Sequence, residues 1–320
     1  MPSILYPPTI NWGFLFQRPQ QLMSQFAKNG WQVYYANKTQ RYKEVEEVQP
    51  NLFIYHDFTV LLNKIKEVDV LYISSPKQYY LSDKIKSKLI IYDCIDKFPE
   101  WGEYEDLITE KADIIFTSSQ YLYEEKKKVH KNVFLIRNAC EYEHLQLNTC
   151  NEVPIELSRL KRPIVAMIGA LGSWIDNEIL LEVAKKYTTV LIGLEFGSKI
   201  PEGVINLGTK SYEKLPFYYN NIDLGIIPFD QSLTSRAANP IKMYEYLAAG
   251  KATVASDLPE MKVFPELIYN AKTADDFILK INKALNEDNE KLVEERKKIA
   301  RQNTWALRFG KITSILGEFL

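Results

Sequence analysis

No stretch of this sequence reaches the roughly 18 consecutive apolar residues of a membrane-spanning helix. The first residues, from Met1 to Pro8, also lack the basic start and apolar run of a secretory signal, so we expect a chain that stays in the cytoplasm. Cysteine is scarce. Cys94, Cys140 and Cys150 are odd in number and lack the paired spacing of a zinc or dithiol site, which reads as reduced thiols. Histidine is equally sparse: His56, His130 and His144 fall in neither metal-ligand nor catalytic-triad spacing. No Asp-x-Asp follows an apolar run where it could hold a divalent ion, and Asp275-Asp276 reads as a helix start, so neither a metal nor another cofactor is expected. Excess charge is missing too. Forty basic and 41 acidic residues leave a net charge of −1, which argues against a dedicated nucleic-acid binder. Low-complexity tracts and solenoid periods are absent.

What is present is the composition of a folded chain, 46% hydrophobic and 25% charged over 320 residues, long enough for two domains. Short runs rich in Val, Ile, Leu and Tyr alternate with segments of helical period, the pattern of βα units around a parallel sheet. In the first half strands are expected at 3–6, 32–36, 52–55, 68–73, 89–92, 114–117 and 133–136. A helix is expected over 20–30, with Leu22, Met23, Phe26 and Ala27 on one face and Asn29-Gly30 as its stop. Periodicity lapses over 145–162, where an interdomain linker is expected. A second series begins with the buried strand and glycine turn of 163–169, followed by strands at 189–192, 204–207, 224–228 and 252–255. The resulting domains are 1–150 and 151–302, with a terminal segment 303–320.

The segment richest in chemistry runs from Ser232 to Asp257. Asn239 stands where an N-cap would, Pro240 suits the first helical position, and the helix runs through Ile241 to Gly250 before a new strand. Such a start presents free N–H groups and the positive end of the helix dipole, which suits a diphosphate. Lys242 adds a point charge in the first turn. Glu245, nearly one turn on, could accept both hydrogen bonds of a ribose diol, although the helix taken alone reads as readily as one packed in the core with Lys242 and Glu245 solvated.

Three further segments are candidates. The glycine turn 169–173 offers Gly172 and Ser173 for close phosphate approach, although a tight connection alone explains it equally well. The loop after the first strand carries Trp12, Gly13, Phe16, Gln17 and Arg18: an aromatic for stacking on a sugar and a guanidinium for a phosphate or carboxylate. Asp93 and Asp96 close a strand, where a carboxylate could act as acid or base; Asp96 is preferred, and Asp93 reads equally well as the tie of a turn. Basic residues mixed with tyrosines at 121–131 and 38–43 suit either peripheral membrane contact or solvated faces.

The string 239–260, Asn-Pro-Ile-Lys-Met-Tyr-Glu-Tyr-Leu-Ala-Ala-Gly-Lys-Ala-Thr-Val-Ala-Ser-Asp-Leu-Pro-Glu, resembles the donor-site motif of GT-B glycosyltransferases of family 4. The opening 10–22 resembles bacterial surface-polysaccharide transferases, including those of teichuronic acid synthesis, and 206–229 resembles the family's base-binding turn, with Gly208, Thr209 and Lys210, and the strand after it. The resemblance implies an α/β GT-B fold, with two Rossmann-like domains facing across a cleft and a terminal helix after Trp305 returning to the first. It implies transfer, with retained anomeric configuration, from a nucleoside diphosphate sugar, uridine-linked by family usage. The acceptor would be a cell-surface glycan or lipid-linked molecule at the inner face of the membrane, with the nucleotide sugar a substrate and not a cofactor. Two departures stand out. The first of the family's paired glutamates is replaced by Ala237, and its Arg and Lys after the first strand of the second domain are missing, leaving Arg236, Lys242 and backbone N–H groups to meet phosphate charge. The competing readings are an epimerase or hydrolase with a similar architecture and a non-catalytic nucleotide-binding subunit. The oligomeric state is not readable from the sequence.

Overall fold

A run of β-branched residues hidden on both faces must be a central strand of a covered parallel sheet, and here the apolar runs form two such sheets. The computed structural model describes residues 1–146 and 152–320. Its contacts divide the chain into two units: 1–138, 237–239 and 305–320 form the first, and 139–236 with 240–304 the second.

In the first unit the strands are β1 (Ser3–Tyr6), β2 (Gln32–Ala36), β3 (Val45–Gln49), β4 (Leu52–Tyr55), β5 (Glu67–Ile73), β6 (Lys86–Cys94), β7 (Ile114–Thr117) and β8 (Val133–Leu135). Their order in the sheet is β3-β4-β2-β1-β5-β6-β7-β8. All neighbours are parallel except the edge pair β3–β4. The pattern of β3, with two glutamates among five residues, hides it from a search for apolar runs. It forms because antiparallel pairing to β4 needs only one covered neighbour, not a buried face.

Buried tyrosines run along the sheet, with Tyr6 and Tyr35 stacked at 4.9 Å between ring centroids. The helix Arg18–Lys28 begins two residues before the expected start and buries every residue from Arg18 to Ala27. Phe26 of that helix meets Phe309 of the terminal helix Trp305–Leu316 edge-on at 5.0 Å, a geometry adding about 1 kcal/mol beyond the area buried.

Of the basic-tyrosine segment 121–131, Lys126 does not face solvent. It is buried, 2.7 Å from Glu105, which also holds Lys97 at 2.9 Å. A carboxylate placed inside the fold by its helix needs these cations nearby, and Lys126 is thereby withdrawn from any membrane-facing patch. Lys127 and Lys128 remain exposed.

The second unit has β9 (Ile164–Ile168), β10 (Thr188–Ile192), β11 (Ile205–Asn206), β12 (Leu224–Ile227), β13 (Ala252–Ser256) and β14 (Ile268–Ala271). All pairs are parallel and the order is β11-β10-β9-β12-β13-β14. Counted from β9 as the first strand, that is 3-2-1-4-5-6, the doubly wound order of nucleotide-binding sheets.

The units divide at Asn138, ahead of the segment read as a linker. Residues from Ala139 pack with the second unit because Cys140 N–H donates to Asn303 O at 3.1 Å and Arg301 lies over the Tyr142 ring at 5.4 Å. Part of the expected linker, 147–151 with Cys150, lies outside the described residues. Cys94 and Cys140 are buried and not joined in a disulfide, and burial pushes the Cys94 thiol up to about 12.

Candidate functional site

In a doubly wound sheet the connections from the first and fourth strands leave toward opposite faces, so a crevice opens beyond the carboxyl ends of those strands. Here they are β9 and β12, whose registered pairing is limited to Val165–Leu224 and Ala166–Gly225. Past that point the Tyr246 hydroxyl stands between them, accepting from Ile168 N–H at 2.9 Å and donating to Ala166 O at 3.0 Å. Its ring lies against Gly225, where a Cβ would come within 2.5 Å of it. Tyr246 therefore wedges the sheet apart at the switch point while keeping the exposed backbone groups bonded.

The helix Ile241–Ala248 carries Tyr246 and points its first turn at the same end of the sheet. Pro240, not Asn239, is its N-cap, with no side-chain cap bond. The buried Asn239 is drawn elsewhere: its Oδ1 accepts from Asn138 N–H at 2.8 Å, within the first unit. The expected N-cap thus shifts by one residue, because the backbone N–H of Asn138 competes better than the helix for that side-chain oxygen. The first-turn N–H groups of Ile241 and Lys242 have no intrahelical acceptor by construction.

Lys242 Nζ lies 5.2 Å from the Phe229 ring centroid, just beyond β12. It lies against Gly169, just beyond β9, where an added Cβ would be 2.7 Å away. A single amine thus sits beside the ends of both switch-point strands. Burial lowers its pKa to about 8, against the opposing pull of Glu245. Among the described residues it has no ion-pair partner.

Glu245, one turn along, accepts a 2.6 Å hydrogen bond from the Tyr219 hydroxyl. Burial raises its pKa, while Tyr219 and Lys242 pull it back down. Tyr219 itself is held protonated, first by burial and then by the nearby Glu245 charge, so it is an obligatory donor to the carboxylate.

The other second-unit candidates are less uniform. Arg236 is exposed on the helix Leu233–Ala237 and its guanidinium has no partner among the described residues. Ser173 is exposed. Gly172 is buried, and the room left by its missing side chain is filled by the Trp174 ring, 2.4 Å from where a Cβ would be, not left open for a ligand. Lys210 is not a free cation: it pairs with Glu156 at 3.0 Å and lies over the Tyr218 ring. Gly208 N–H is taken by Asn206 Oδ1 at 2.8 Å, and Thr209 is exposed. Ala237 is fully buried.

In the first unit the largest difference concerns Arg18 and Asp93. Arg18 Nε and Nη2 each donate to Asp93 at 2.7 Å, and Nη1 donates to Ile136 O at 2.8 Å and Asn138 Oδ1 at 3.1 Å. Both side chains are almost completely buried. A guanidinium with its fork filled by a carboxylate cannot receive a phosphate or sugar acid, and that carboxylate cannot act on a substrate proton. This buried pair replaces both expected roles.

Asp96, three residues beyond Asp93, is partly exposed and has no hydrogen-bond partner among the described residues. Burial raises its pKa to about 6, with Arg18 lowering it and Asp93 raising it further. Trp12 is half-buried, edge-on to Phe16 at 5.4 Å and to Tyr35 at 5.2 Å, and its backbone N–H donates to Asn37 Oδ1 at 2.7 Å. Gly13 is exposed, and the exposed Gln17 begins the helix, its N–H donating to Gln20 Oε1 at 3.1 Å.

Tyr219, Tyr246 and Phe229 were not foreseen as site residues, and Gly169 was foreseen only as the start of the glycine turn 169–173, not as the seat of Lys242. Their sequence signals, a Tyr-Tyr pair in a helix and a glycine after a strand, are common to ordinary packing. Among the described residues no group of three or more His, Cys, Asp or Glu is placed to hold a metal, and no helix is long and apolar enough to cross a membrane.

No protein-family model matches the chain. It is 26% identical over 310 residues to TuaH of Bacillus subtilis (strain 168), a candidate teichuronic acid biosynthesis glycosyltransferase, with 83% of this chain and 78% of the relative covered. Among solved structures it is similar to sucrose-phosphate synthase from Thermosynechococcus elongatus, with a TM-score of 0.77 and 15% identity over 99% of this chain and 98% of that one. It is likewise similar to HepE of Anabaena, solved in complex with UDP-glucose, with a TM-score of 0.73 and 14% identity over 99% of each chain. What is shared at these identities is the fold.

Proposed function

We propose that this chain, which has the GT-B fold, is a glycosyltransferase that moves a sugar from a uridine diphosphate sugar to a hydroxyl of a cell-surface polysaccharide or lipid-linked acceptor, with retention of configuration. The observation that carries the reading is the placement of Lys242 and the open helix start at the β9–β12 switch point, with Glu245 one turn along. The likeness to a candidate teichuronic acid biosynthesis glycosyltransferase supports the class, and the fold shared with a protein solved with UDP-glucose supports the donor.

When the bond between the anomeric carbon and the diphosphate breaks, negative charge grows on the leaving oxygen. The Lys242 ammonium and the first-turn N–H groups of Ile241 and Lys242 would stabilise that charge, and groups fixed in a folded helix start would need little reorganisation to do so. Glu245 would hold the ribose diol. Asp96, whose carboxyl has no hydrogen-bond partner among the described residues, would take the proton of the acceptor hydroxyl. No step calls for a metal, because the amine and the helix start supply the positive charge. Exposed Lys127 and Lys128 would allow peripheral contact with an anionic membrane where a lipid-linked acceptor resides.

Calorimetric titration with uridine diphosphate tests the reading. The wild-type chain should bind, and Glu245→Ala should bind about tenfold more weakly with its melting temperature within a few degrees of wild type. Unchanged affinity in the variant would remove the assigned site. Anomeric proton couplings of the product, read by NMR, report retention or inversion.

A further inference from the structure

Glu245 is an unusual carboxylate for a surface crevice: one oxygen is already engaged from behind. Tyr219 sits on the helix Leu215–Asn221, is 1% exposed, and its hydroxyl reaches Glu245 Oε2 at 2.6 Å. Its ring is edge-on to Tyr246 at 5.5 Å, and Tyr246 is in turn fixed by its bonds to Ile168 and Ala166. Glu245 Oε1 has no donor among the described residues. The carboxylate plane is therefore set by a chain of contacts that begins at the strands of the switch point.

We infer that Tyr219 is a positioning residue that lets the site distinguish ribose from deoxyribose. The inference rests on the nucleotide-sugar reading given above. The last torsion of a glutamate is broad, so an untethered carboxylate presents its two oxygens in many orientations. A short hydrogen bond to a charged acceptor is strong enough to select one. Only a carboxylate held in one plane meets both hydroxyls of a cis diol at once, and a sugar lacking the 2′-hydroxyl makes one of those bonds whether or not the plane is held. The Tyr219 hydroxyl also favours the ionised form of Glu245, which burial would otherwise disfavour.

The test compares binding of uridine, guanosine and adenosine diphosphates with their 2′-deoxy counterparts, for wild type, Tyr219→Phe and Glu245→Gln. Wild type should prefer the ribo form of its nucleotide by about tenfold, the value of one hydrogen bond to a charged group. In Tyr219→Phe the ribo affinity should fall until the preference is about twofold, with deoxy affinity nearly unchanged. Glu245→Gln, which keeps the shape and removes the charge, should lose the preference as well; if Tyr219→Phe is too unstable to assay, Tyr219→Met, which also lacks the hydroxyl, takes its place, and an undiminished ribo preference in it overturns the inference. A purely structural Tyr219 would weaken both forms equally, and that outcome overturns the inference while leaving the nucleotide site intact. A wild-type chain that binds none of the three diphosphates overturns both.

Discussion

The side chain that Gly169 lacks would lie 2.7 Å from Lys242 Nζ and 2.9 Å from its Cε. The glycine at the end of β9 and the lysine in the first turn of the helix Ile241–Ala248 are thus complementary: one is small so that the other can lie at the switch point. Gly169 also has a φ of +140°, where a Cβ is strained.

Gly169→Ala should therefore displace the amine. Affinity for uridine diphosphate is expected to fall about tenfold, and the melting temperature by several degrees, from backbone strain of about 1–2 kcal/mol. Binding unaffected by the substitution would show that Lys242 does not meet the phosphates from this position.

Asp93→Asn is predicted to act on stability. With one partner neutralised, Arg18 is left as an uncompensated buried charge, and the cost is expected to be about 3–5 kcal/mol in chemical denaturation. A variant that stays as stable as wild type but loses turnover would restore Asp93 as a catalytic group.

Asp96→Asn should have the opposite signature. The folded-state pKa of Asp96, about 6, lies above the ordinary 3.8, so the folded chain holds this proton more tightly than the unfolded one. The stability it contributes is full below about pH 3.8 and is lost as pH rises through about 6. The variant should be more stable than wild type at pH 8, with the difference closing toward pH 4. If Asp96 is the base, wild-type turnover rises through pH 6 to a plateau, and the variant loses about 100-fold while still binding uridine diphosphate. Full activity in the variant would place the base elsewhere.

Chelation is expected to leave transfer unchanged. Turnover measured with and without excess EDTA, after dialysis, should agree within about twofold, since Lys242 and the helix start meet the diphosphate charge. Activity abolished by EDTA and restored by magnesium or manganese would contradict this.

The alternation of apolar runs and amphipathic segments determined the two parallel sheets, because a strand covered on both faces has no option but to be apolar. Of the described strands, only the solvated edge strand β3 and the short β14 escaped that pattern. The string Asn239 to Glu245 likewise determined a helix start with a cation and a carboxylate one turn apart, since those relations are local.

What only the tertiary structure decided was which charged groups remain free to act. Arg18 and Asp93 lie 75 positions apart, and Lys210 with Glu156 and Tyr219 with Glu245 are likewise distant in the chain. A sequence shows that a residue can ionise or donate. Whether a partner already consumes that capacity depends on strand order and burial, which bring distant residues together and raise the cost of leaving a charge alone. That is why Lys242 and Asp96 stayed candidates while Arg18, Asp93 and Lys210 did not.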